Sequence, residues 1–324
     1  MASSQFVSVC TIDALSRAAQ QLKNGHLVAF PTETVYGLGA DAQNESAVAR
    51  IYKVKGRPED HPLIVHIGDW QLMGEWAEEI PDYAIDLARA FWPGPMTLIL
   101  QRSEIAKDFV TGNQNTVGIR VPSQTLALQL LNEFSRIGGK GIAAPSANRF
   151  GQVSPTTAEA VREEIGAYLS SEDSILDGGP SSVGVESTII DCTGQAPKIL
   201  RPGAISIEDI EGVTGLEVEL PERSEVRVSG SLENHYAPAA QVLLDIEPQP
   251  GDGFIALADI PTPAGVIRLA EPKSAEQFAY LLYAALRDAD AKELNRVVVS
   301  QPLGEGIAIA IRDRLKRAKA GRQF

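Results

Sequence analysis

The alternation of short apolar runs with helical patterns restricts the possible folds of this chain more than any other feature of its sequence. Apolar runs typical of buried strands occur at residues 26–30, 63–67, 96–100, 117–121, 141–144 and 187–191. Helical patterns lie between them, at residues 12–22, 46–52, 82–91, 126–134 and 157–165. Strands and helices that alternate along a chain predict an α/β fold.

A second α/β pattern follows a polar segment. Residues 242–247, 254–259 and 296–302 resemble strands, residues 275–289 form an amphipathic helical pattern, and another helix closes the chain. The segment 221–238 has little apolar periodicity and is predicted to be a linker. We therefore predict a main domain at residues 1–220 and a small C-terminal α/β domain at residues 239–324, a division that suits a chain of 324 residues.

Composition excludes several classes of protein. No apolar stretch approaches the roughly 20 residues that a membrane span needs, and the first residues lack a secretory pattern. We therefore expect a cytoplasmic protein without a membrane partner. The two cysteines, Cys10 and Cys192, predict neither a disulfide framework nor a protein metal site. The net charge of −13 argues against a protein whose main function is to bind nucleic acid.

The negative charge is unevenly distributed. Residues 239–324 carry 11 acidic and 11 basic side chains, so the excess lies entirely in the first part of the chain. The basic residues at the end of the chain are predicted to form a solvated helix face, with contact to RNA or a partner as the alternative. They are Arg312, Arg314, Lys316, Arg317, Lys319 and Arg322.

The run FPTETVYGLGADA follows the first strand and is rich in hydroxyl groups. Gly37, Gly39 and Ala42 satisfy a GxGxxA dinucleotide pattern, so a Rossmann turn is one interpretation. The strand is predicted to end at Pro31, however, well before the glycines. We therefore favour Thr32 and Thr34 as ligand donors in a loop at the end of the strand.

Lys55 and Arg57 form a local cluster of positive charge in an acidic region. With Gly56 between them, they are suited to bind a polyphosphate, since Arg is a bidentate donor and Lys a point charge. The alternative is a helix end whose cations offset the helix dipole. His61 and His66 flank the next strand, where a structural or surface-exposed histidine is one interpretation of each. If His66 lines a site, its neutral imidazole can orient or deprotonate an ammonium or hydroxyl group.

The run APSANRFGQVSPT brings Ser146, Asn148 and Ser154 together in sequence. Ser146 and Asn148 would point the same way on an extended segment, and with Ser154 they can surround an anionic or nucleotide ligand. An ordinary Asn/Ser turn is the alternative. No GxSxG elbow surrounds Ser146 and no Walker A motif occurs, so we expect neither a serine hydrolase nor a P-loop protein.

Two arginines lie in apolar strand contexts. Arg120 belongs to VGIRVP and Arg201 to ILRPGAI. An uncompensated charge there is costly, so each arginine is expected to have an anionic partner, either a protein carboxylate or a ligand.

Taken in order, these motifs resemble one family. PTETVYGLGADA, KGRPEDHPLIVHI, WPGPMTLIL, VGIRVP, APSANRFGQVSPT, DGG, ESTIID, LRPGAI and NHYAP are similar to motifs of the YrdC-type threonylcarbamoyl-AMP synthases, in their long form with a C-terminal extension domain. The resemblance implies a twisted, open mixed α/β sheet with a concave cavity (YrdC-like), plus a smaller Rossmann-like C-terminal domain. It also implies synthesis of threonylcarbamoyl-AMP and pyrophosphate from L-threonine, bicarbonate or CO2, and ATP, for modification of the tRNA adenosine next to the anticodon.

The family's functional residues are carried over by motif. The resemblance implies a catalytic set of Lys55, Arg57, Ser146 and Asn148. It implies that threonine is held by Thr34, His66, Arg120, Ala144 and Ser187. It implies that ATP is held by Arg57, His61, Thr116, Ser146, Ser154, Arg201 and Tyr236. Mg²⁺ is expected to arrive with ATP or pyrophosphate, without a metal site in the protein.

Two other functions are compatible with the same fold. One is an RNA-binding module, which the net charge of −13 argues against. The other is a carbamoyltransferase like the related domain of hydrogenase maturation proteins, which would be expected to carry acylphosphatase or zinc-finger modules. For the favoured function, the implied partner is a downstream tRNA threonylcarbamoyl transferase, and we expect at most weak direct binding of tRNA.

Overall fold

Ten α-helices and fifteen strands form the part of the chain that the computed structural model describes, which is residues 5–7, 12–219, 227–228 and 236–321. The helices are α1 (Ile12–Lys23), α2 (Glu45–Lys55), α3 (Met73–Trp76), α4 (Asp82–Phe91), α5 (Asp108–Thr111), α6 (Thr125–Arg136), α7 (Ala158–Ile165), α8 (Ile207–Thr214), α9 (Ala275–Ala291) and α10 (Ile307–Lys319). Single 3₁₀ turns occur at Trp70–Leu72 and Gly166–Tyr168.

The first eleven strands form one mixed sheet. They are β1 (Gln5–Val7), β2 (Val28–Phe30), β3 (Gly37–Asp41), β4 (Ile64–His66), β5 (Ala77–Glu78), β6 (Met96–Arg102), β7 (Thr116–Arg120), β8 (Ile142–Ala143), β9 (Ser174–Leu176), β10 (Thr188–Asp191) and β11 (Lys198–Arg201). Their order is β1-β9-β2-β3-β8-β4-β7-β6-β10-β11, with β5 paired to β6. This order has two free ends, so the sheet is open, and parallel and antiparallel pairs occur in it. The predicted fold class is confirmed.

Strand β3 excludes the Rossmann interpretation of the glycine-rich run. Gly37 and Gly39 lie in this strand, which pairs antiparallel with β2, whereas a dinucleotide turn leads from a strand directly into a helix. A side chain at Gly39 would place its Cβ 2.8 Å from Cγ2 of Ile142 and 2.9 Å from Cε1 of Phe30. The glycine therefore serves the packing of the sheet rather than a pyrophosphate.

Helix α2 shows how local sequence sets the positions of Lys55 and Arg57. The Asn44 side chain caps its first turn by accepting a hydrogen bond from the Ala47 amide at 3.1 Å. Gly56 ends it in the left-handed region at φ 63°. The helix-end interpretation of this cluster is thus structurally correct, and the chain leaves the helix directly into Arg57.

The last four strands form a second, smaller sheet that is entirely parallel. They are β12 (Gln241–Leu244), β13 (Gly253–Ile255), β14 (Ile267–Ala270) and β15 (Arg296–Val299), in the order β12-β15-β13-β14. Helices α9 and α10 fall where the two C-terminal helices were predicted, whereas β14 was missed. Three of its four residues are exposed or half-buried, so the run lacks the continuous apolar character of a central strand.

The two sheets share part of their hydrophobic core. Val35, Val153 and Val185 come from the first part of the chain, yet they pack in one cluster with Phe278 and Leu282 of α9. Gly184 allows this close approach: at φ +84° it lies so near α9 that a Cβ would be 2.4 Å from the Ala279 carbonyl oxygen. Helix α9 therefore packs directly against the segment that leads into β10.

The proposed division into residues 1–220, 221–238 and 239–324 stays a prediction, because most of the linker, 221–226 and 229–235, lies outside the described residues. No helix within the described ranges combines the length and hydropathy that a membrane-spanning segment requires.

Candidate active site

One cavity gathers most of the predicted site residues. It occupies about 510 Å³, including its open mouth, where the β2–β3 loop meets the ends of β4 and β7. Its lining consists of Thr32, Thr34, Val35, Gly37, Arg57, Ile64, His66, Arg120, Ala144, Pro145, Ser146, Glu186, Ser187, Arg201 and Tyr236. All five predicted threonine ligands line it, as do four of the predicted ATP ligands, namely Arg57, Ser146, Arg201 and Tyr236.

The β2–β3 loop is held in shape by its own hydroxyl groups. The Thr32 hydroxyl donates to the Val35 carbonyl at 2.6 Å and accepts from the Thr34 amide at 3.2 Å. The two threonine hydroxyl oxygens are 2.9 Å apart. Both residues are buried, so the loop presents a fixed polar surface to the cavity.

Arg120, at the end of β7, has a protein carboxylate as its partner. Its Nη2 lies 2.6 Å from Oε1 of Glu33, and its Nη1 donates to the Thr34 hydroxyl at 2.9 Å. The other oxygen of Glu33 accepts from the Ser123 amide at 3.0 Å. The expectation of an anionic partner is confirmed, but Glu33 itself was not identified from the sequence. Arg120 keeps its Nε buried without a partner in the structure, so it retains one donor for a ligand.

His66 is a neutral imidazole in the cavity wall. Burial, reinforced by the nearby charge of Arg120, lowers its pKa to about 3. A group with so low a pKa is a poor base for an ammonium, so deprotonation by His66 is disfavoured. Its Nδ1 is buried without a hydrogen-bond partner. In the tautomer protonated on Nε2, this atom accepts a hydrogen bond and can orient a ligand's ammonium or hydroxyl group.

The low pKa of His66 predicts a specific dependence of stability on pH. The unfolded chain binds a proton below the ordinary pKa of 6.5, whereas the folded protein does not until about 3, so stability falls as pH falls through this window. We expect His66→Gln to reduce the slope of the unfolding free energy between about pH 6 and about pH 4 by roughly 1 kcal/mol per pH unit. Denaturant unfolding at several pH values measures this slope. An equal slope in wild type and variant would contradict a buried neutral His66.

Arg57 and Arg201 bring two more guanidinium groups to the cavity. Arg57 donates through Nη2 to the Pro62 carbonyl at 2.9 Å. Arg201 donates through Nε and Nη2 to the Ser187 carbonyl at 3.1 and 2.9 Å. Burial lowers the pKa of Arg57 to about 10, and the charge of Arg201 acts in the same direction. Both groups remain cations at neutral pH, and carbonyl acceptors orient them without neutralising them.

Lys55 and Asn148 lie behind the cavity rather than in its lining. The Lys55 ammonium donates to the carbonyl oxygens of Ser146 and Asn148 at 2.5 and 2.6 Å. The Asn148 amide donates to the Arg149 and Gln152 carbonyls. Of the pair 146/148, only Ser146 lines the cavity, and the chain bends at 147–148 instead of running extended as expected. The segment 146–149 turns there, and its carbonyls are gathered around Lys55.

Three further predicted ATP ligands also lie outside this lining. His61 packs its ring edge-to-face on Phe150, with centroids 5.5 Å apart. Thr116 lines a second, smaller cavity that shares Ile64 with the first. The Ser154 hydroxyl is buried and donates to Oε1 of Glu186 at 2.7 Å. Their roles as ATP ligands stay predictions.

The cavity has a predominantly positive lining. Its described lining residues include three guanidinium groups, those of Arg57, Arg120 and Arg201, and one carboxylate, that of Glu186. The described residues hold no cluster of three or more His, Cys, Asp or Glu side chains with the geometry of a metal site. A cavity that contains three guanidinium groups is suited to small polar ligands that carry anionic groups.

Comparisons with known proteins identify the family. Residues 20–203 match the family model Sua5_yciO_yrdC, described as telomere recombination, and residues 205–320 match the model of the C-terminal domain of threonylcarbamoyl-AMP synthase. The chain is 37% identical over 326 residues to the threonylcarbamoyl-AMP synthase of Pyrococcus abyssi, covering 94% of each chain. It is 38% identical over 330 residues to that of Bacillus subtilis, covering 95% of this chain and 93% of the relative.

A solved structure supports the same assignment. The crystal structure of P. abyssi Sua5 complexed with L-threonine matches with a TM-score of 0.87 and 35% sequence identity, covering 98% of both chains. The chain therefore belongs to the Sua5 family of threonylcarbamoyl-AMP synthases.

Proposed function

We propose that this protein joins L-threonine, bicarbonate or CO2, and ATP into L-threonylcarbamoyladenylate and pyrophosphate. The observation that carries the proposal is one cavity that contains both a small polar pocket, around Thr34 and Arg120, and two further buried guanidinium groups, Arg57 and Arg201. A carboxylate and a triphosphate are both anions that guanidinium groups bind well. The relatives that match almost the whole chain are named for this activity.

Threonine is proposed to occupy the part of the cavity formed by Thr34, His66, Arg120, Ala144 and Ser187. A neutral His66 accepts a hydrogen bond from the ammonium or hydroxyl group, and Arg120 donates to the carboxylate. Arg120 also forms an ion pair with Glu33, in which Nη2 lies 2.6 Å from Oε1, and this pair holds the guanidinium in place before a ligand binds. A related structure was solved with L-threonine bound, which supports this choice of amino acid.

The triphosphate of ATP is proposed to lie against Arg57 and Arg201. The neutral amine of threonine first adds to CO2 with release of a proton, or condenses with bicarbonate with release of water, to give a carbamate. A carbamate oxygen then attacks the α-phosphorus, the bond from this phosphorus to the bridging oxygen breaks, and pyrophosphate leaves. This reaction requires alignment and stabilisation of charge rather than a covalent nucleophile. Ser146 and Tyr236 complete the proposed ATP lining.

The described residues provide no cluster of ligands for Mg²⁺, and the carboxylate among the described lining residues, Glu186, already accepts hydrogen bonds on both oxygens. We therefore propose that any Mg²⁺ enters on the phosphates of ATP, where it would neutralise charge. The adenylate is proposed to pass to a tRNA threonylcarbamoyl transferase in the cytoplasm, with weak direct tRNA binding by this protein.

Product analysis tests the proposal directly. Purified protein is incubated with ATP, bicarbonate and each amino acid in turn, and the products are examined by mass spectrometry. We expect an adenylate whose mass contains threonine and one carbamoyl group, formed only when both threonine and bicarbonate are present. Equal product with serine, or pyrophosphate release that does not depend on an amino acid, would contradict it.

A further inference from the structure

Among the residues that the structure describes, Glu186 is the one carboxylate in the lining of the cavity, and it lies where an anionic substrate is proposed to bind. It is 6% exposed and lines the cavity together with Arg201 and Tyr236. A carboxylate in this position would repel a triphosphate and weaken the positive charge of Arg201 if it were not compensated. How this charge is compensated therefore bears on the affinity for ATP.

The second domain supplies the compensating charge. Arg314 of α10 donates through Nε to Oε2 of Glu186 at 2.8 Å, and its side chain is completely buried. Tyr283 of α9 donates its hydroxyl to the same oxygen, also at 2.8 Å. The expectation of a solvated basic face on the last helix is therefore wrong for Arg314, which points into the protein.

Arg314 also fixes the neighbouring parts of the cavity wall. Its Nη2 donates at 3.0 Å to the carbonyl of Pro202, the residue after Arg201. Its guanidinium lies 5.4 Å from the ring centroid of Tyr236, on which Tyr283 stacks with a centroid distance of 5.8 Å. Nη1 pairs with Asp313 at 2.6 Å. One buried side chain of α10 thus connects three segments of the proposed ATP site.

Glu186 is held as an anion by this arrangement. Burial alone would raise its pKa, but the charges of Arg314 and Arg201 and the hydrogen bonds from Ser154 and Arg314 lower it to about 2. Without Arg314, the negative charge of Glu186 would be offset mainly by Arg201. Less of the positive charge of Arg201 would then be available to bind the triphosphate.

We propose that Arg314, assisted by Tyr283, is a positioning residue for ATP: through it the C-terminal domain neutralises Glu186 and holds Tyr236 against the cavity. The inference rests on the proposed use of ATP and gives the second domain a defined role in that site. Arg314 touches no substrate itself, since it lies behind Glu186 and Tyr236 and is absent from the cavity lining.

A charge-rescue experiment tests this role. We compare Arg314→Met, Glu186→Gln and the double variant by calorimetric ATP binding and by the KM for ATP and for threonine. We expect Arg314→Met to weaken ATP binding about tenfold, equivalent to about 1.4 kcal/mol, with the KM for threonine changed less than about threefold. Adding Glu186→Gln should return ATP affinity to within about threefold of wild type, because it removes the carboxylate charge that Arg314 no longer compensates.

The control is Arg312→Met, on the same helix. Arg312 donates to the Pro302 and Gly304 carbonyls within the second domain, so its loss should leave ATP affinity unchanged. Should Arg314→Met fail to fold, Tyr283→Phe replaces it. This variant removes one donor to Glu186 and keeps the stacked ring, and a rise of about threefold in the Kd for ATP is expected.

Unchanged ATP affinity in Arg314→Met, or in Tyr283→Phe where it is used, would overturn the inference. An equal loss for threonine and ATP, or a double variant as weak as Arg314→Met, would do the same, since either indicates general damage to the fold. A wild type that binds ATP but forms no threonine adenylate would defeat the proposed function alone, because the comparison of ATP affinities remains valid.

Discussion

Arg57→Met is expected to lower kcat/KM for ATP by roughly a thousandfold while leaving the protein folded, the scale seen when one preorganised charge is removed from a transition state. Arg57 is buried, lines the cavity, and is oriented by the Pro62 carbonyl at 2.9 Å. The methionine side chain fills similar space without the charge. Since Arg201 lies nearby and repels Arg57, removal of the cation should change the unfolding free energy by less than about 1 kcal/mol.

Threonine-dependent pyrophosphate release measures the loss, and denaturant unfolding measures stability. Arg136→Met is the control, because Arg136 is an exposed arginine of α6 that pairs with Glu133, and neither residue lines the cavity. It should retain wild-type activity. If Arg57→Met kept pyrophosphate release within about threefold of wild type, its proposed place beside the triphosphate would be refuted.

The sequence was sufficient to predict the elements that have strong periodicity. Each predicted strand of the main sheet overlaps an observed one, and both C-terminal helices fall at the predicted places. Strand β3 was missed because its five residues, GLGAD, include two glycines, which are rare in strands and resemble a turn. The close packing of Gly39 against Ile142 explains the second glycine, but that contact joins residues far apart in the chain.

Contacts between residues far apart in the chain also limited what could be predicted of the site. Ten predicted residues, Thr32 among them, line one cavity, since side chains near strand ends collect at one edge of a sheet. The partners that fix their charges could not be predicted. Glu33 lies 87 residues from Arg120, and Glu186 lies 128 residues from Arg314. Such ion pairs leave no local periodic pattern, and a basic helix at the end of a chain is usually solvated.

Lys55 illustrates how structure changes the interpretation of a residue whose type suggests a phosphate ligand. Its ammonium binds two carbonyls of the segment that carries Ser146, and it does not line the cavity. Burial lowers its pKa well below the ordinary value, and the charge of Arg57 adds to this effect. We therefore expect Lys55 to act on the reaction by positioning this segment rather than by touching phosphate.

Lys55→Met should accordingly lower both the stability of the protein and its activity. The buried carbonyl of Asn148 and the partly buried carbonyl of Ser146 would lose their donor. This loss is expected to lower the unfolding free energy by about 3 kcal/mol, a figure that allows for the cost of burying an ammonium, which the variant avoids. Activity should fall by about tenfold to a hundredfold at temperatures where the variant is still folded, because Ser146 loses its fixed position. Denaturant unfolding and pyrophosphate release, measured on the same preparation, give both numbers.

Lys53→Met is the matched control, because Lys53 lies in the same last turn of α2 but is exposed. It should change neither stability nor activity. A direct phosphate contact by Lys55 makes the opposite prediction: ATP affinity would fall sharply with stability unchanged, as expected for Arg57→Met. If Lys55→Met lost ATP affinity but not stability, Lys55 would be identified as a residue that binds the phosphates. Loss of both activity and stability would identify it as a residue that shapes the cavity.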